Sequence, residues 1–279
     1  MLFRSDKERL YRDSYGPRKI ASTPKSTVNN GVSAPIRVLK KPLGDKPQAP
    51  EKAAVKVKSE FGEMPESTSL KPIGHGKIDT SVKWIMADKR KVDITTSYGI
   101  LTFAPISDET VRVMFSKQGN DIYSPLPDEV EIKNTKWNCV ENREEVTIQM
   151  AKLTIKVNKR TGAVTFNSVS GTTLLSENIN TTRQFHGMAD IWWEYFDFGK
   201  KENLKARGAS DSEWEDLSMT SKYVSNGKDG SSALIMSSKG YQILVPSGIK
   251  VLACTVPAYG PYLSFIDTKC IDYCFRTAR

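Results

Sequence analysis

The chain has 279 residues, with 41 Lys and Arg against 32 Asp and Glu, so its formal net charge is +9. This length accommodates one large domain or two small ones, and no stretch approaches the ~18 consecutive apolar residues of a membrane-spanning helix. The first residues lack the apolar core of a secretory signal, and four cysteines in so long a chain do not form a disulfide scaffold. We therefore expect a cytoplasmic protein that has no membrane-spanning segment.

The basic character is concentrated in the first quarter of the chain. Residues 1–72 hold 15 Lys and Arg against 8 Asp and Glu, together with eight of the 14 prolines. Apolar residues are sparse there, so their burial cannot offset the ~1–2 kcal/mol per residue that ordering the backbone costs. We expect a disordered basic tail or linker over residues 1–72 and a folded domain over residues 73–279. Interleaved acids and the lack of an aromatic stripe argue against specific nucleic-acid binding.

From residue 92 onward, apolar and polar residues alternate with the period of two that indicates β-strands. In one such run Val111, Val113 and Phe115 alternate with Arg112 and Met114. Residues 153–157 and 164–166 alternate on either side of a turn in which a glycine can take the left-handed conformation, and residues 233–236 and 241–245 form a second hairpin. No convincing amphipathic helix is present. The pattern predicts an all-β fold, a large antiparallel β-sandwich.

Residues 185–223 interrupt this alternation with the richest aromatic region of the chain. The large rings are Phe185, Trp192, Trp193, Tyr195, Phe196, Phe198, Trp214 and Tyr223. Aromatic faces stack on sugar rings, and the neighbouring carboxylates could accept hydrogen bonds from sugar hydroxyls. Large rings also fill sandwich interiors, so core packing is the competing interpretation.

No complete catalytic constellation is evident in the sequence. His75 and His186 have no serine or cysteine neighbourhood that resembles a nucleophile elbow, and no GxSxG motif occurs. The pairs Gly76-Lys77 and Gly227-Lys228 are not followed by Ser or Thr, so they do not complete a phosphate-binding P-loop. Acid pairs such as Glu144-Glu145 cannot be assigned as glycosidase carboxylates from their spacing alone.

The four cysteines do not predict a metal site. Cys270 and Cys274, with Cys139 and Cys254, could in principle bind zinc, but no CxxC pair or histidine partner supports this. Strand alternation places Cys270 and Cys274 on one face, which favours packing. We expect neither a metal nor a cofactor.

Five segments resemble those of a known family, and they come in its order. They are ITTSYGILTFAPISDETVRVMFSK (Ile94–Lys117), AKLTIKVNKRTGAVTFNSVSGTTLLSE (Ala151–Glu177), FDFGKKENLKARG (Phe196–Gly208), MSSKGYQILVPS (Met236–Ser247) and IDYCFR (Ile271–Arg276). Together they resemble the N-terminal β-sandwich of glycoside hydrolase family 31, the α-glucosidases and α-xylosidases. Two positions depart from the family pattern: Lys200 stands where the motif has an acid, and Cys274 replaces an aromatic residue.

The resemblance implies a galactose-mutarotase-like supersandwich. In this family a (β/α)8 barrel follows the sandwich and carries both catalytic aspartates, and such a barrel needs ~250 residues. Because the sequence stops at Arg279, we expect a domain truncated before its barrel, with no catalytic residues of its own. It would have a structural and substrate-shaping role, and a barrel-bearing partner chain is one source of the missing part. Whether the chain is an enzyme stays open at this point.

A loop of the family sandwich reaches over the barrel mouth and helps to shape the sugar subsites. By position it corresponds to the region after Gly208. The implied substrate-binding residues are Asp211, Trp214, Asp216 and Tyr223. Two alternatives stay open: a stand-alone carbohydrate-binding module that uses the aromatic region, and a non-catalytic interaction protein that uses the basic tail.

Overall fold

The computed structural model describes residues 78–117, 126–127, 130–187, 189–208, 213–227 and 232–278. The predicted tail over residues 1–72 lies outside these ranges, as do His75 and Asp211. Across the described part of the chain, no helix has the length and apolar character needed to cross a bilayer.

The described residues form nineteen strands, all of which pair antiparallel. In chain order they are β1 (Val82–Ala87), β2 (Val92–Thr96), β3 (Ile100–Pro105), β4 (Thr110–Ser116), β5 (Trp137–Glu141), β6 (Glu145–Met150), β7 (Leu153–Asn158), β8 (Val164–Ser168), β9 (Thr173–Ser176), β10 (Arg183–His186), β11 (Ile191–Tyr195), β12 (Leu204–Gly208), β13 (Glu215–Asp216), β14 (Ser221–Asn226), β15 (Ala233–Ser237), β16 (Tyr241–Val245), β17 (Lys250–Cys254), β18 (Tyr262–Ile266) and β19 (Cys270–Thr277). A 3-10 turn spans Pro257–Tyr259. The predicted all-β antiparallel class is confirmed.

Within these ranges the strands form three sheets. The nine-stranded sheet has the order β1-β2-β3-β4-β19-β16-β15-β12-β13. The β11 sheet has the order β10-β11-β18-β17-β14, and the β5–β9 sheet runs in sequence order.

Both smaller sheets pack on the same face of the nine-stranded sheet. Phe166 of β8 stacks on Phe275 of β19 with ring centroids 4.0 Å apart, and Trp192 of β11 meets the edge of Phe115 of β4 at 5.5 Å. Phe115 and Phe275 lie on one face because Phe115 pairs with Ile271, four residues before Phe275. Apolar side chains from all three sheets therefore meet in one central core. This arrangement is a β-sandwich.

The two hairpins predicted from the sequence are confirmed. Strands β7 and β8 pair in register, as do β15 and β16. Gly162 closes the first hairpin with φ of +71°, and Gly240 closes the second with φ of +82°. Both glycines therefore take the left-handed conformation that other residues adopt only with strain.

We expect Gly162→Ala to destabilise the protein more than Gly171→Ala. Both glycines have positive φ, so an alanine costs ~1–2 kcal/mol at either position. Only at Gly162 would the added Cβ also collide with a backbone atom, since it would lie 2.1 Å from the Thr80 carbonyl oxygen. This clash adds ~1 kcal/mol or more. Urea unfolding of both variants measures the difference, and equal losses would contradict the role of the clash.

Several strands lie outside the alternation seen in the sequence. The structure adds β1 before residue 92, and the aromatic region contributes β10 to β14 instead of interrupting the sheets. In β11 all five residues, IWWEY, are buried. Trp192 faces the central core, and Trp193 faces a separate cluster on the other side. A strand that is buried on both faces shows no period of two, which explains why the pattern missed it.

Candidate functional site

Trp214, one of the predicted sugar-binding residues, lies just before β13 on the outer face of the nine-stranded sheet. It packs against a small cluster that includes Leu234, Leu244 and Cys274. The guanidinium carbon of Arg207 lies 4.9 Å from the Trp214 ring centroid. One face of the indole is thus covered by a cation, so a sugar would have to stack on the remaining exposed part.

Asp216 lies on the same outer face, because its Cα partner is Lys205 on β12. Its side chain is exposed, and Oδ1 accepts hydrogen bonds from the Ser218 backbone N–H at 2.9 Å and the Ser218 hydroxyl at 2.7 Å. Asp216 therefore caps a turn, and its carboxylate still faces solvent. Trp214 and Asp216 share a sheet face at the β13 edge.

Tyr223 lies on a different sheet from the other two described residues of the predicted set. It belongs to β14, pairs with Leu252, and joins the cluster on the outer face of the β11 sheet. The Lys250 ammonium nitrogen lies 4.9 Å from its ring centroid. The structure thus brings Trp214 and Asp216 together but not Tyr223, and Asp211 lies outside the described residues. The assignment of these four residues to sugar binding stays a prediction.

A buried glutamate joins two of the segments that resemble the family. Glu202 Oε1 accepts hydrogen bonds from the Ser237 hydroxyl and the Tyr241 hydroxyl, both at 2.6 Å. Its Oε2 accepts from the Gly199 N–H at 2.7 Å and lies 3.1 Å from the Lys239 ammonium. These donors hold the pKa of Glu202 below its ordinary value, although burial opposes them as the largest single effect. The family motif has an acid at the position of Lys200. In this chain the nearest acid is Glu202, two residues later.

We expect Glu202→Gln to lower the free energy of unfolding by ~1–2 kcal/mol at neutral pH, since it removes an ionised acceptor from several donors. A depressed pKa stabilises the folded state above the ordinary glutamate value, and this contribution is lost as the pH falls through the depressed pKa. The variant should therefore lose less stability on acidification than the parent. Urea unfolding between pH 3 and 7 tests this, with the exposed Glu144→Gln as control. If the unfolding free energies of Glu202→Gln and the parent fell equally between pH 7 and pH 3, the prediction would be contradicted.

A second buried ion pair joins the VRV and DYCF segments. The Arg112 Nε donates to Asp272 Oδ1 at 2.8 Å, and its Nη2 donates to Oδ2 at 2.6 Å. The Asp272 side chain is completely buried on the outer face of the nine-stranded sheet. Cys270 and Cys274 flank it on the same face, as the alternation predicted, and burial raises their pKa values to about 11 and about 12. Such thiols are un-ionised and suit packing.

A third buried cluster lies inside the sandwich around Arg183. Its Nη2 contacts Glu177 Oε1 and lies 3.4 Å from Glu194 Oε1, while Nη1 donates to the Gly162 carbonyl at 3.2 Å. Tyr273 donates to Glu194 Oε1 at 3.3 Å. Burial raises the pKa of Glu177 well above its ordinary value; Arg183 opposes the rise and Glu194 adds to it. One cation faces two acids, so a protonated Glu177 makes the cluster neutral.

None of these three clusters resembles a glycosidase active site. Every group in the Arg183 cluster is inaccessible to a substrate, and Asp272 is fully paired. Among the described residues, no group of three or more His, Cys, Asp or Glu side chains converges to hold a metal ion. Glu202 and the Arg112–Asp272 pair instead link family-like segments to one another through buried hydrogen bonds.

The sequence analysis did not single out an open polar groove on the outer face of the β5–β9 sheet. The groove has a volume of about 640 Å³ and includes Thr154, Thr165 and Asn167, with the Lys156–Glu145 ion pair at its margin. Hydroxyl and amide side chains line it together with charged and apolar residues. The polar positions that alternate with the core residues of β7 and β8 are the signal that could have identified it, since they share one sheet face.

No family model and no curated protein sequence matches the chain. Solved structures do match. A family 31 dextranase from Flavobacterium johnsoniae, in complex with isomaltotriose, superimposes with a TM-score of 0.62 at 16% identity, over 72% of this chain and 26% of the enzyme. A family 31 α-xylosidase from a soil metagenome, in complex with xylose, gives 0.57 at 16% identity, over 70% and 32%. A family 31 α-xylosidase from Xanthomonas citri gives 0.51 at 18% identity, over 60% and 19%.

The chain has the fold of a family 31 β-domain. The chain spans only a third or less of the length of each of these enzymes. The resemblance inferred from the five sequence segments is confirmed at the level of fold. At this identity the likeness extends to the path of the backbone.

Proposed function

We propose that this chain is a non-catalytic β-domain of a family-31-like α-glycosidase, and that it shapes the sugar path of a catalytic barrel. The observation that carries the proposal is the family 31 fold over about 70% of the chain. The described strands pair only antiparallel, whereas the barrel implied by the resemblance is parallel. Its aspartates would lie elsewhere in a longer polypeptide or on a partner chain.

Trp214 and Asp216 are the residues through which the domain would touch a sugar. Both lie at the β13 edge, where an indole can stack on a ring and an exposed carboxylate can accept hydroxyl hydrogen bonds. Asp211 belongs to the same β12–β13 connection in the sequence. This is half of a pocket, so the affinity of the chain by itself should be in the millimolar range, about −4 kcal/mol.

A hydrolysis assay and a sugar titration test this proposal. We expect no turnover of aryl α-glucosides or α-xylosides by the purified 279-residue chain; robust turnover would overturn the non-catalytic assignment. Isomaltotriose, maltose and xylose, titrated by NMR, should shift the Trp214 indole resonance. Trp214→Ala should weaken binding at least fivefold. Trp84→Ala is the matched control, because Trp84 is 70% exposed at the opposite edge of the same sheet.

The polar groove supports a second candidate, a stand-alone carbohydrate-binding module. Its volume lies within the range of small-molecule sites, and hydroxyl and amide groups that line it match the hydrogen bonds of sugars. This candidate predicts that Thr154→Val with Thr165→Val abolishes sugar binding while Trp214→Ala leaves it unchanged. The reverse result favours the substrate-shaping domain. Cytoplasmic location and a partner chain with a barrel stay predictions.

A further inference from the structure

The edge strand β1 of the nine-stranded sheet carries an exposed apolar surface. Trp84 is 70% exposed and Met86 is 57% exposed. Both lie on the outer face of the sheet, because Ile85 between them packs against the central core. Among the described residues, no other strand carries two exposed large apolar side chains. Apolar side chains that face water along a strand edge are typical of an interaction surface.

The same edge presents backbone groups that have no strand to pair with in the described part of the chain. The Asp88 N–H donates to the Lys91 carbonyl at 3.0 Å, so the backbone groups of Asp88 point toward β2. This direction alternates along an antiparallel strand. Met86 therefore pairs with β2, whereas the N–H and C=O groups of Ile85 and Ala87 point away from the sheet.

The open part of this edge is short and has a definite beginning and end. At its beginning the Val82 N–H donates to the Lys159 carbonyl at 2.8 Å, and the strand register shifts at Lys83. At its end the Asp88 side chain accepts hydrogen bonds within the turn to β2. Trp84–Ala87 is thus the segment that can accept a further strand.

The opposite edge of the nine-stranded sheet is protected from such pairing. Its strand β13 consists of Glu215 and Asp216, which are both exposed acids. Very short and charged edge strands prevent edge-to-edge association. Two copies that associate through this sheet would therefore place β1 against β1, which closes a two-fold pair and leaves no open fibre.

We propose that two copies of this chain pair β1 antiparallel to β1, about a two-fold axis at Met86. In this register Ile85 lies opposite Ala87 of the second copy, and each such pair exchanges two hydrogen bonds. The outward backbone groups of both residues are then satisfied. On the outer face Met86 meets its own copy, and Trp84 becomes a diagonal neighbour of that second methionine, within reach of a large ring. Contacts between a thioether and an aromatic ring are favourable.

The contact area is small, so the dimer should be weak. One pair of short edge strands buries less than the ~1,200 Å² of a standard interface, and we expect a dissociation constant of ~100 μM. This association goes beyond the proposed sugar function and does not depend on it, since β1 and β13 lie at opposite edges of the sheet.

Sedimentation velocity of the full 279-residue chain tests the proposal. Between ~5 and ~500 μM the chain should shift from monomer to dimer. Met86→Lys should weaken the dimer at least tenfold, because two ammonium groups would meet at the axis. Ile132→Lys is the matched control, since Ile132 is 74% exposed and lies outside the strands, and it should leave the dimer unchanged. A monomer at every concentration would overturn the proposal, and so would a dimer that Met86→Lys does not weaken.

Ala87→Pro tests the backbone pairing separately from the side chains. The substitution removes an N–H that points away from β2, and proline is tolerated on edge strands where the N–H is not used. The variant should keep the circular dichroism spectrum of the parent and weaken the dimer as much as Met86→Lys. A folded variant that dimerises like the parent would exclude strand pairing.

Disulfide crosslinking tests the register, and it decides the question if Ala87→Pro does not fold. Met86→Cys should form a disulfide with the same position of the second copy on mild oxidation, as mapped by mass spectrometry. Trp84→Cys should not, because in this register the two copies of that position lie ~13 Å apart along the strands. Equal crosslinking of both variants, or of neither, would contradict the proposed pairing.

Discussion

Replacing Arg183 by Met is expected to lower the free energy of unfolding by ~3–5 kcal/mol, because it leaves two buried acids without their cation. Glu177 and Glu194 have completely buried side chains that both contact the Arg183 guanidinium. The guanidinium also donates to the Gly162 carbonyl and lies over the Phe115 ring at 5.1 Å. Its loss therefore removes charge, hydrogen bonds and packing together.

Urea unfolding followed by circular dichroism measures this loss. Arg143→Met, at an exposed position of the β5–β6 turn, is the matched control and should change stability by less than ~0.5 kcal/mol. Arg183→Lys keeps the charge but loses the planar set of guanidinium donors. Its loss of unfolding free energy should therefore lie between those of Arg143→Met and Arg183→Met. A loss below ~1 kcal/mol in Arg183→Met would show that the acids are already neutral and that the cation contributes little.

The same cluster predicts a dependence of stability on pH. The pKa of Glu177 is raised in the folded state, so the folded chain binds more protons than the unfolded chain above the ordinary glutamate value. The stabilising contribution of Glu177 is thus fully present at low pH and is lost as the pH rises through the raised pKa. Glu177→Gln, which cannot ionise, should remove this decline. If the stability of Glu177→Gln fell as steeply with rising pH as that of the parent, another group would be responsible for the decline.

The second large loss of stability is expected from Arg112→Met. This variant leaves the completely buried Asp272 carboxylate, on the outer face of the nine-stranded sheet, without its cation. Both carboxylate oxygens of Asp272 accept hydrogen bonds from Arg112. An unpaired carboxylate in this position costs ~3–5 kcal/mol of folding stability. The exposed Arg90→Met is the control, and thermal unfolding reports both variants.

A double substitution separates the cost of the stranded charge from the contribution of the pair. In Arg112→Met with Asp272→Leu, no buried charge remains, and neighbours such as Cys270 and Cys274 present compatible surface. We expect the double variant to recover most of the stability lost in Arg112→Met, because apolar replacement of a buried ion pair is often close to neutral. Equal instability of the single and double variants would mean that the pair itself stabilises the sheet.

The candidate sugar-binding residues were only partly predictable from the sequence. The sequence places Trp214, Asp216 and Tyr223 within ten positions of one another. In the structure they lie on two sheets. Between Asp216 and Tyr223 the chain passes from β13 of the nine-stranded sheet to β14 of the β11 sheet. The role of Glu202 was equally hidden, since its partners Ser237 and Tyr241 lie more than thirty residues away.

The sequence by itself determined the fold class, the two hairpins and the family likeness. These depend on local alternation, turn glycines such as Gly162 and short motifs, all of which act between residues close in the chain. Only the tertiary structure decided which charges are paired and which aromatic rings are buried, since Arg112 meets Asp272 across 160 positions and Trp193 shares a buried cluster with Leu252 and Tyr262 of later strands. Strand pairing over such distances depends on the whole sheet order, and no local pattern encodes it.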